Sequence, residues 1–281
     1  MGIRTDLATE FAADKQHDDG GIAIKKYNTS GIHVSNVEIL TDKAADEIGK
    51  PVGKYVTLES EGAVSIFDID SLLDLLSAEL RGLVGKVKNV LVVGIGNTTV
   101  TPDALGPKVA ERVLATRHIS DELAEKIGLN GLKPVSVLSP GVLGQTGIEV
   151  KEIINGAVKY VKPDAVILID ALAAREVSRL GSTVQISNTG ISPGSGVGNA
   201  RAEISEKTLG VKCITIGVPT VVDATTLCFD LTGKESRDHE PLIVTPRDID
   251  RLIERSSKVI SDAVNIALQP EIDRDILLSV V

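Results

Sequence analysis

One stretch, Asn89–Val109 (NVLVVGIGNTTVTPDALGPKV), restricts the possible folds of this chain more than any other. Val90–Val93 and Ile95 surround Gly94 and read as a parallel strand buried on both faces. Gly94 and Gly96 let the backbone turn sharply, and Asn97 tolerates unusual φ. Pro102 fixes the approach to Asp103, after which Leu105, Val109, Val113 and Leu114 recur on one helical face. Asp103 is therefore predicted at the carboxyl end of a central strand, beside a helix N-terminus, where open α/β sheets build their sites. A second buried strand, Asp164–Leu172 (DAVILIDAL), carries Asp170 at its end. Two such strands in one parallel sheet can present two carboxylates across a single crevice.

The 281-residue chain is 42% hydrophobic but only 2% aromatic, so Val, Ile, Leu and Ala must build its core. That core suits a three-layer α/β/α sandwich with a mostly parallel central sheet, and residues 21–58 read as a small N-terminal β-rich section. The net charge is −9 and Lys and Arg never run longer than two, which argues against direct nucleic-acid binding. No apolar run reaches the ~18 residues that span a bilayer, and the reading is a soluble intracellular protein with no membrane partner. Cys213 and Cys228 lie in apolar segments without a CxxC pair and read as free thiols.

Along the chain, strands are expected at 22–27, 32–39, 55–58, 134–138, 183–186 and 212–218. Helices are expected at 41–48, 70–80, from 105 to about 118, and at 120–127, 148–160 and 245–267. Two glycine-rich loops, 139–147 with Gly141 and Gly144 and 188–199 with Gly194 and Gly196, are too polar for core elements and are expected to line a crevice. The N-terminus carries a short repeat, Thr5-Asp6-Leu7-Ala8 followed by Thr9-Glu10-Phe11-Ala12. It reads either as an amphipathic helix with Leu7 and Phe11 stacked or as a pair of peptide sites for a protease.

Familiar catalytic patterns are missing. The GIGN turn lacks the third glycine of a dinucleotide fingerprint, and neither a P-loop nor a GxSxG elbow occurs. His17, His33, His118 and His239 are scattered, without metal-ligand spacing. Asp103 and Asp170 remain, either as helix caps or as a working pair. Two close carboxylates share one proton because both cannot ionise cheaply. The ionised member can take a proton from water while the protonated one donates to a carbonyl oxygen or a leaving amine. That is amide hydrolysis without a metal, cofactor or covalent intermediate.

Five separated segments, GIGNTTVTPDALGP (94–107), SPGVLGQTGIEV (139–150), DAVILIDALAAR (164–175), NTGISPGSGVGN (188–199) and ITIGVPTVVDATTL (214–227), together with RTDLA (4–8), resemble the bacterial spore germination protease family. The resemblance implies an endopeptidase that degrades small acid-soluble spore proteins, works in the spore core and assembles as a homotetramer. It implies essential aspartates at Asp103 and Asp170. It also implies a zymogen whose substrates are cut after an acidic residue that precedes an apolar residue and Ala. Self-processing is then expected at Asp6–Leu7, with Glu10–Phe11 as the lesser candidate. Residues 1–6 (or 1–10) would be a pro-segment and 7–281 a single peptidase domain. A more distant similarity, to hydrogenase maturation endopeptidases, implies an alternative in which Asp103, six residues past Asn97, and Asp170 hold nickel with a third ligand. A nucleotide- or small-molecule-binding module built on the GIGN turn is the alternative outside protease chemistry.

Overall fold

The apolar runs assemble into one nine-stranded sheet, seen here in a computed structural model that describes residues 5–13, 20–60, 69–126, 128–198, 201–233 and 242–279. Residues 1–4 of the candidate pro-segment, His17, His239 and the end of the 188–199 loop lie outside the described residues. The strands are β1 Ile22–Thr29, β2 Ile32–Ile39, β3 Gly53–Ser60, β4 Val90–Ile95, β5 Val135–Gly141, β6 Ala165–Ala174, β7 Thr183–Ser187, β8 Lys212–Asp223 and β9 Ile243–Val244. The helices are α1 Ala8–Ala13, α2 Asp42–Ile48, α3 Ile69–Val84, α4 Leu105–Arg112, α5 Asp121–Lys126, α6 Leu143–Thr146, α7 Val150–Val161, α8 Glu206–Leu209, α9 Ala224–Thr232, α10 Ile249–Leu268 and α11 Arg274–Ser279.

The order β1-β2-β3-β7-β8-β6-β4-β5 joins two halves. β5, β4, β6 and β8 are parallel, as expected for strands that are apolar on both faces. β7 reverses direction, and β3, β2 and β1 continue antiparallel, so the N-terminal β-rich section extends the same sheet. Helices cover both faces. Apolar side chains of α3, α4 and α10 close over one face of the sheet, on Val56, Val90, Val92, Ile167, Ile169, Ile214 and Ile216. α7 and α8 cover Leu91, Val93, Val166 and Leu168 on the other face, and α1 and α2 cover Val37, Ile39 and Tyr55 there. The sandwich is therefore three-layered.

Two strands run longer than their hydrophobic patterns suggest. β6 passes Asp170 and continues to Ala174, and β8 continues past Val218 to Asp223, because each supplies the other's ladder over that length. The register slips between Leu172 and Ala173, leaving Thr220 as the extra residue of a bulge. Helix α4 stops at Arg112 rather than near His118, where the chain turns back toward β5.

Candidate active site

Close glycine packing, not helix capping, delivers Asp103. A Cβ on Gly94 would lie 2.0 Å from the carbonyl oxygen of Gly106, and one on Gly106 would lie 2.2 Å from that of Ile95 and 2.5 Å from that of Ile169. α4 thus begins against the end of β4 and the backbone of β6 at Ile169. Gly96, at φ +135°, makes the turn out of β4, and a Cβ there would lie 2.0 Å from the Asp103 carbonyl oxygen. Asp103 closes a short 3-10 turn, Thr101–Asp103, and the cap of α4 is Ala104, without a side-chain bond. The Asn97 N–H donates to Asp103 Oδ2 at 2.9 Å and to its main-chain oxygen at 3.1 Å. Asn97 Oδ1 in turn accepts from the Thr99 N–H (2.9 Å), Thr99 Oγ1 (2.7 Å) and Gln145 Nε2 (2.6 Å), tying the turn to α6.

Asp170 sits within β6 and caps no helix. Gly94 pairs with Ile169, so Asp170 emerges just where β4 ends. It is 4% exposed, and its Oδ1 accepts the Ala171 N–H at 2.9 Å. Burial pushes the Asp170 carboxyl well above the usual carboxylate range, and the negative charges of Asp103 and Asp6 push it the same way. Burial also raises Asp103, to about 6, against the opposing pull of the Asn97 N–H. Burial and the neighbouring charge of Asp103 thus both favour the protonated form of Asp170.

Both carboxylates line a cleft of about 530 Å³, together with Gly96, Pro102, Gly144, Gly194 and Thr220. Gly94, Asn97, Gly141 and Gly196 do not line it; Gly141 makes a turn at φ +72° at the end of β5. The Thr220 hydroxyl, on the bulge, is buried without a hydrogen-bond partner among the described residues.

The first described residues of the chain lie along this cleft. The Asp6 N–H donates to the Ala173 carbonyl at 2.8 Å, and the Ala173 N–H donates to Asp6 Oδ2 at 2.9 Å. Leu7 is fully buried on Leu172, Ala174, Leu180 and Val222. Leu7 and Phe11 do not stack: Leu7 precedes α1, and Phe11 packs in a different cluster with α2. Gln185 grips the backbone at two points. Its Nε2 donates to the Asp6 carbonyl at 3.2 Å, and its Oε1 accepts the Ala8 N–H at 2.8 Å. Gln185 and Asp170 both align with Gly217 of β8, so they flank a residue without a side chain on one sheet face. A second cavity of about 540 Å³ shares Asp6 and Leu172 with the cleft, and Lys50, Gln185 and Ser195 line it.

Glu10 is placed differently. It lies inside α1 and away from the cleft, its carboxylate accepting from the Arg175 N–H (2.9 Å), the Glu176 N–H (3.0 Å) and the Thr5 hydroxyl, with the Arg179 guanidinium at 3.2 Å. Burial nevertheless raises the Glu10 carboxyl.

The motif reading missed Gln185, Lys50 and Ser195. The strand Thr183-Val184-Gln185-Ile186-Ser187 does alternate polar with apolar residues, and that was the available signal for a polar face under the N-terminus. No local pattern marks Lys50 or Ser195. Among the described residues, no three His, Cys, Asp or Glu side chains group as metal ligands. Asp103 and Asp170 are each engaged by a backbone N–H, and no described residue joins them as the third ligand of the nickel alternative. Also among the described residues, no helix is long and apolar enough to cross a membrane.

The profile of the germination protease family (Peptidase A25) matches residues 4–233, which include Thr5–Ala8, Asp103 and Asp170. The chain belongs to the germination protease family. The germination protease of Clostridium acetobutylicum is 39% identical, with 96% of each chain covered. That of Caldanaerobacter subterraneus subsp. tengcongensis is 42% identical over 96% of this chain and 95% of its own. The germination protease of Priestia megaterium is 35% identical over 97% of this chain and 95% of its own. The NiFe hydrogenase maturation protease HycI from Thermococcus kodakarensis aligns at a TM-score of 0.38 with 20% identity, over 66% of this chain and 98% of its own. That likeness is too slight to bear on function.

Proposed function

We propose that this germination protease family member is an endopeptidase of spore germination that cuts small acid-soluble spore proteins after an acidic residue, using Asp103 and Asp170 as the catalytic pair. The observation that carries this reading is the convergence of the buried Asp170, the half-buried Asp103 and the chain's own Asp6 in one cleft. In the proposed reaction Asp103, ionised, takes a proton from water as its oxygen attacks the carbonyl carbon. Asp170 gives its proton to the carbonyl oxygen. Asp170 then takes a proton back from the tetrahedral intermediate as Asp103 passes its own to the leaving amine, and the C–N bond breaks. No metal or cofactor takes part in these steps. Location in the spore core and homotetrameric assembly come with the resemblance and belong to the same reading.

Activity should follow a bell-shaped pH profile. It should rise as Asp103 ionises, near pH 6, and fall at higher pH as Asp170 loses its proton. A rate that rises steadily from pH 5 to 9 would contradict the one-proton pair.

The same proposal makes the chain a zymogen. Asp6 lines both cavities, together with Leu172, so release of residues 1–6 would enlarge the space the two share. Asp6–Leu7 is favoured over Glu10–Phe11 as the processing bond, because Asp6 lies at the cleft and Glu10 is locked into α1. Incubated protein should convert to a form beginning at Leu7, and an Asp170→Asn protein should keep Met1. N-terminal sequencing decides this. A fully active enzyme with an intact Met1 end would rule out processing, and a peptide containing Thr-Glu-Phe-Ala, assayed alongside, tests cleavage itself.

A further inference from the structure

We propose that Lys50, Ser195 and the main-chain N–H of Ala173 form the pocket that recognises the acidic side chain on the N-terminal side of the cleaved bond. The inference rests on reading Thr5–Ala8 as an internal substrate. The backbone on both sides of the Asp6–Leu7 bond is held independently of the Asp6 side chain. The Asp6 N–H reaches the Ala173 carbonyl, and Gln185 holds the Asp6 carbonyl and the Ala8 N–H. Leu7 is anchored by a separate apolar pocket. With the main chain fixed, only one location is left for the side chain of residue 6.

That location supplies three donors to the carboxylate. The Ala173 N–H lies 2.9 Å from Oδ2, and the Ser195 hydroxyl donates to Oδ1 at 2.8 Å. The Lys50 ammonium lies 3.8 Å from Oδ1, and both side chains are largely shielded, at 15% and 13% exposure. Burial costs Lys50 part of its affinity for a proton, and the Asp6 charge restores some of it. An anion at this spot therefore stabilises Lys50, whereas a neutral side chain would leave a shielded cation without a counter-charge. Size is also controlled. A Cβ on Gly196 would lie 2.2 Å from Asp6 Oδ2, so glycine at 196 makes the room that the carboxylate fills.

A neutral amide of the same shape fits less well. Turned either way, its NH2 group would face the Ala173 N–H or the Lys50 ammonium, neither of which can accept, and a site built to hydrogen-bond one group rejects an analogue that cannot match it. The acidic side chain also lies close enough to Asp170 to help it keep its proton. Recognition and the protonation state of the catalytic pair are thus served by one group.

The test compares two peptides that differ only in Thr-Glu-Phe-Ala against Thr-Gln-Phe-Ala, using the processed enzyme and its Lys50→Met and Ser195→Ala variants. Wild-type enzyme should prefer the Glu peptide, and each variant should lower the Glu-over-Gln ratio of kcat/KM at least tenfold, mainly through KM for the Glu peptide. Ser195 is exposed, so its variant reports even if Lys50→Met fails to fold. A selective wild type whose Ser195→Ala and folded Lys50→Met variants keep that selectivity overturns the pocket while leaving the protease reading intact. A wild type that cleaves neither peptide overturns both.

Discussion

Asp103→Asn and Asp170→Asn should each lower kcat for a Thr-Glu-Phe-Ala peptide by about a thousandfold or more, while far-UV circular dichroism stays unchanged. Each amide keeps the size of the side chain but removes a proton acceptor or donor on which one step depends. The losses should not add in the double variant, because the two groups act as one unit. Stability gives an independent check. The folded protein holds the Asp103 proton up to about pH 6, against an ordinary value of 3.8. Below the lower value folded and unfolded chains both carry the proton. Between the two, the folded chain alone keeps it, so the stabilisation is lost as pH rises through the folded value. Asp103→Asn has no such titration. Its melting temperature relative to wild type should therefore rise between pH 4 and pH 7. Near-wild-type cleavage by either single variant would end the proposed pair. A melting difference that does not change with pH would mean Asp103 is not held protonated by burial.

Gly106→Ala should destabilise the protein by about 3 kcal/mol, the upper part of the range for overpacking a tight interior. A Cβ at this position would meet the Ile95 oxygen at 2.2 Å, the Ile95 nitrogen at 2.5 Å and the Ile169 oxygen at 2.5 Å. All three atoms belong to strand backbone, so none can rotate away. α4 must move off the sheet, and the turn carrying Asp103 moves with it. Activity should fall with stability, although residue 106 has no side chain to contribute chemistry. Gly82→Ala is the matched control. It lies in α3 with nothing within 4 Å of the new Cβ, and should gain about 0.5 kcal/mol from helix propensity. Chemical denaturation of the two variants makes the comparison. A Gly106→Ala protein within about 1 kcal/mol of wild type would show that the α4–sheet contact has slack.

These two results depend on features that were unequally visible in the sequence. The apolar runs at 90–95 and 165–169 could only be buried strands, and Asp103 and Asp170 followed as the carboxylates beside them. The glycines at 94 and 96 were legible as a turn, but the role of Gly94 was not. It lies inside β4, and its value is the close approach of Gly106 from α4. The hydrophobic pattern ends β6 too early, because hydrophobicity marks burial, whereas a strand continues for as long as neighbours complete its ladder. Here β8 and the Asp6 backbone do so beyond Asp170.

The N-terminal repeat shows the limit most clearly. Thr5–Ala8 and Thr9–Ala12 carry the same pattern of Thr, acid, large apolar residue and Ala, and sequence alone cannot say which copy meets the cleft. In the folded chain Asp6 lies against β6 at Ala173 while Glu10 is locked between Thr5, Arg179 and the backbone of Arg175 and Glu176. By itself the sequence determined the layered α/β class and the two acidic positions, because strand burial and glycine turns are local consequences of residue type. Only tertiary structure decided that the two carboxylates share a cleft, that burial favours the protonated form of Asp170, and that Lys50, Gln185 and Ser195 gather around Asp6. Those outcomes depend on which strands become neighbours, and the electrostatic field at a buried group is set by everything folded around it.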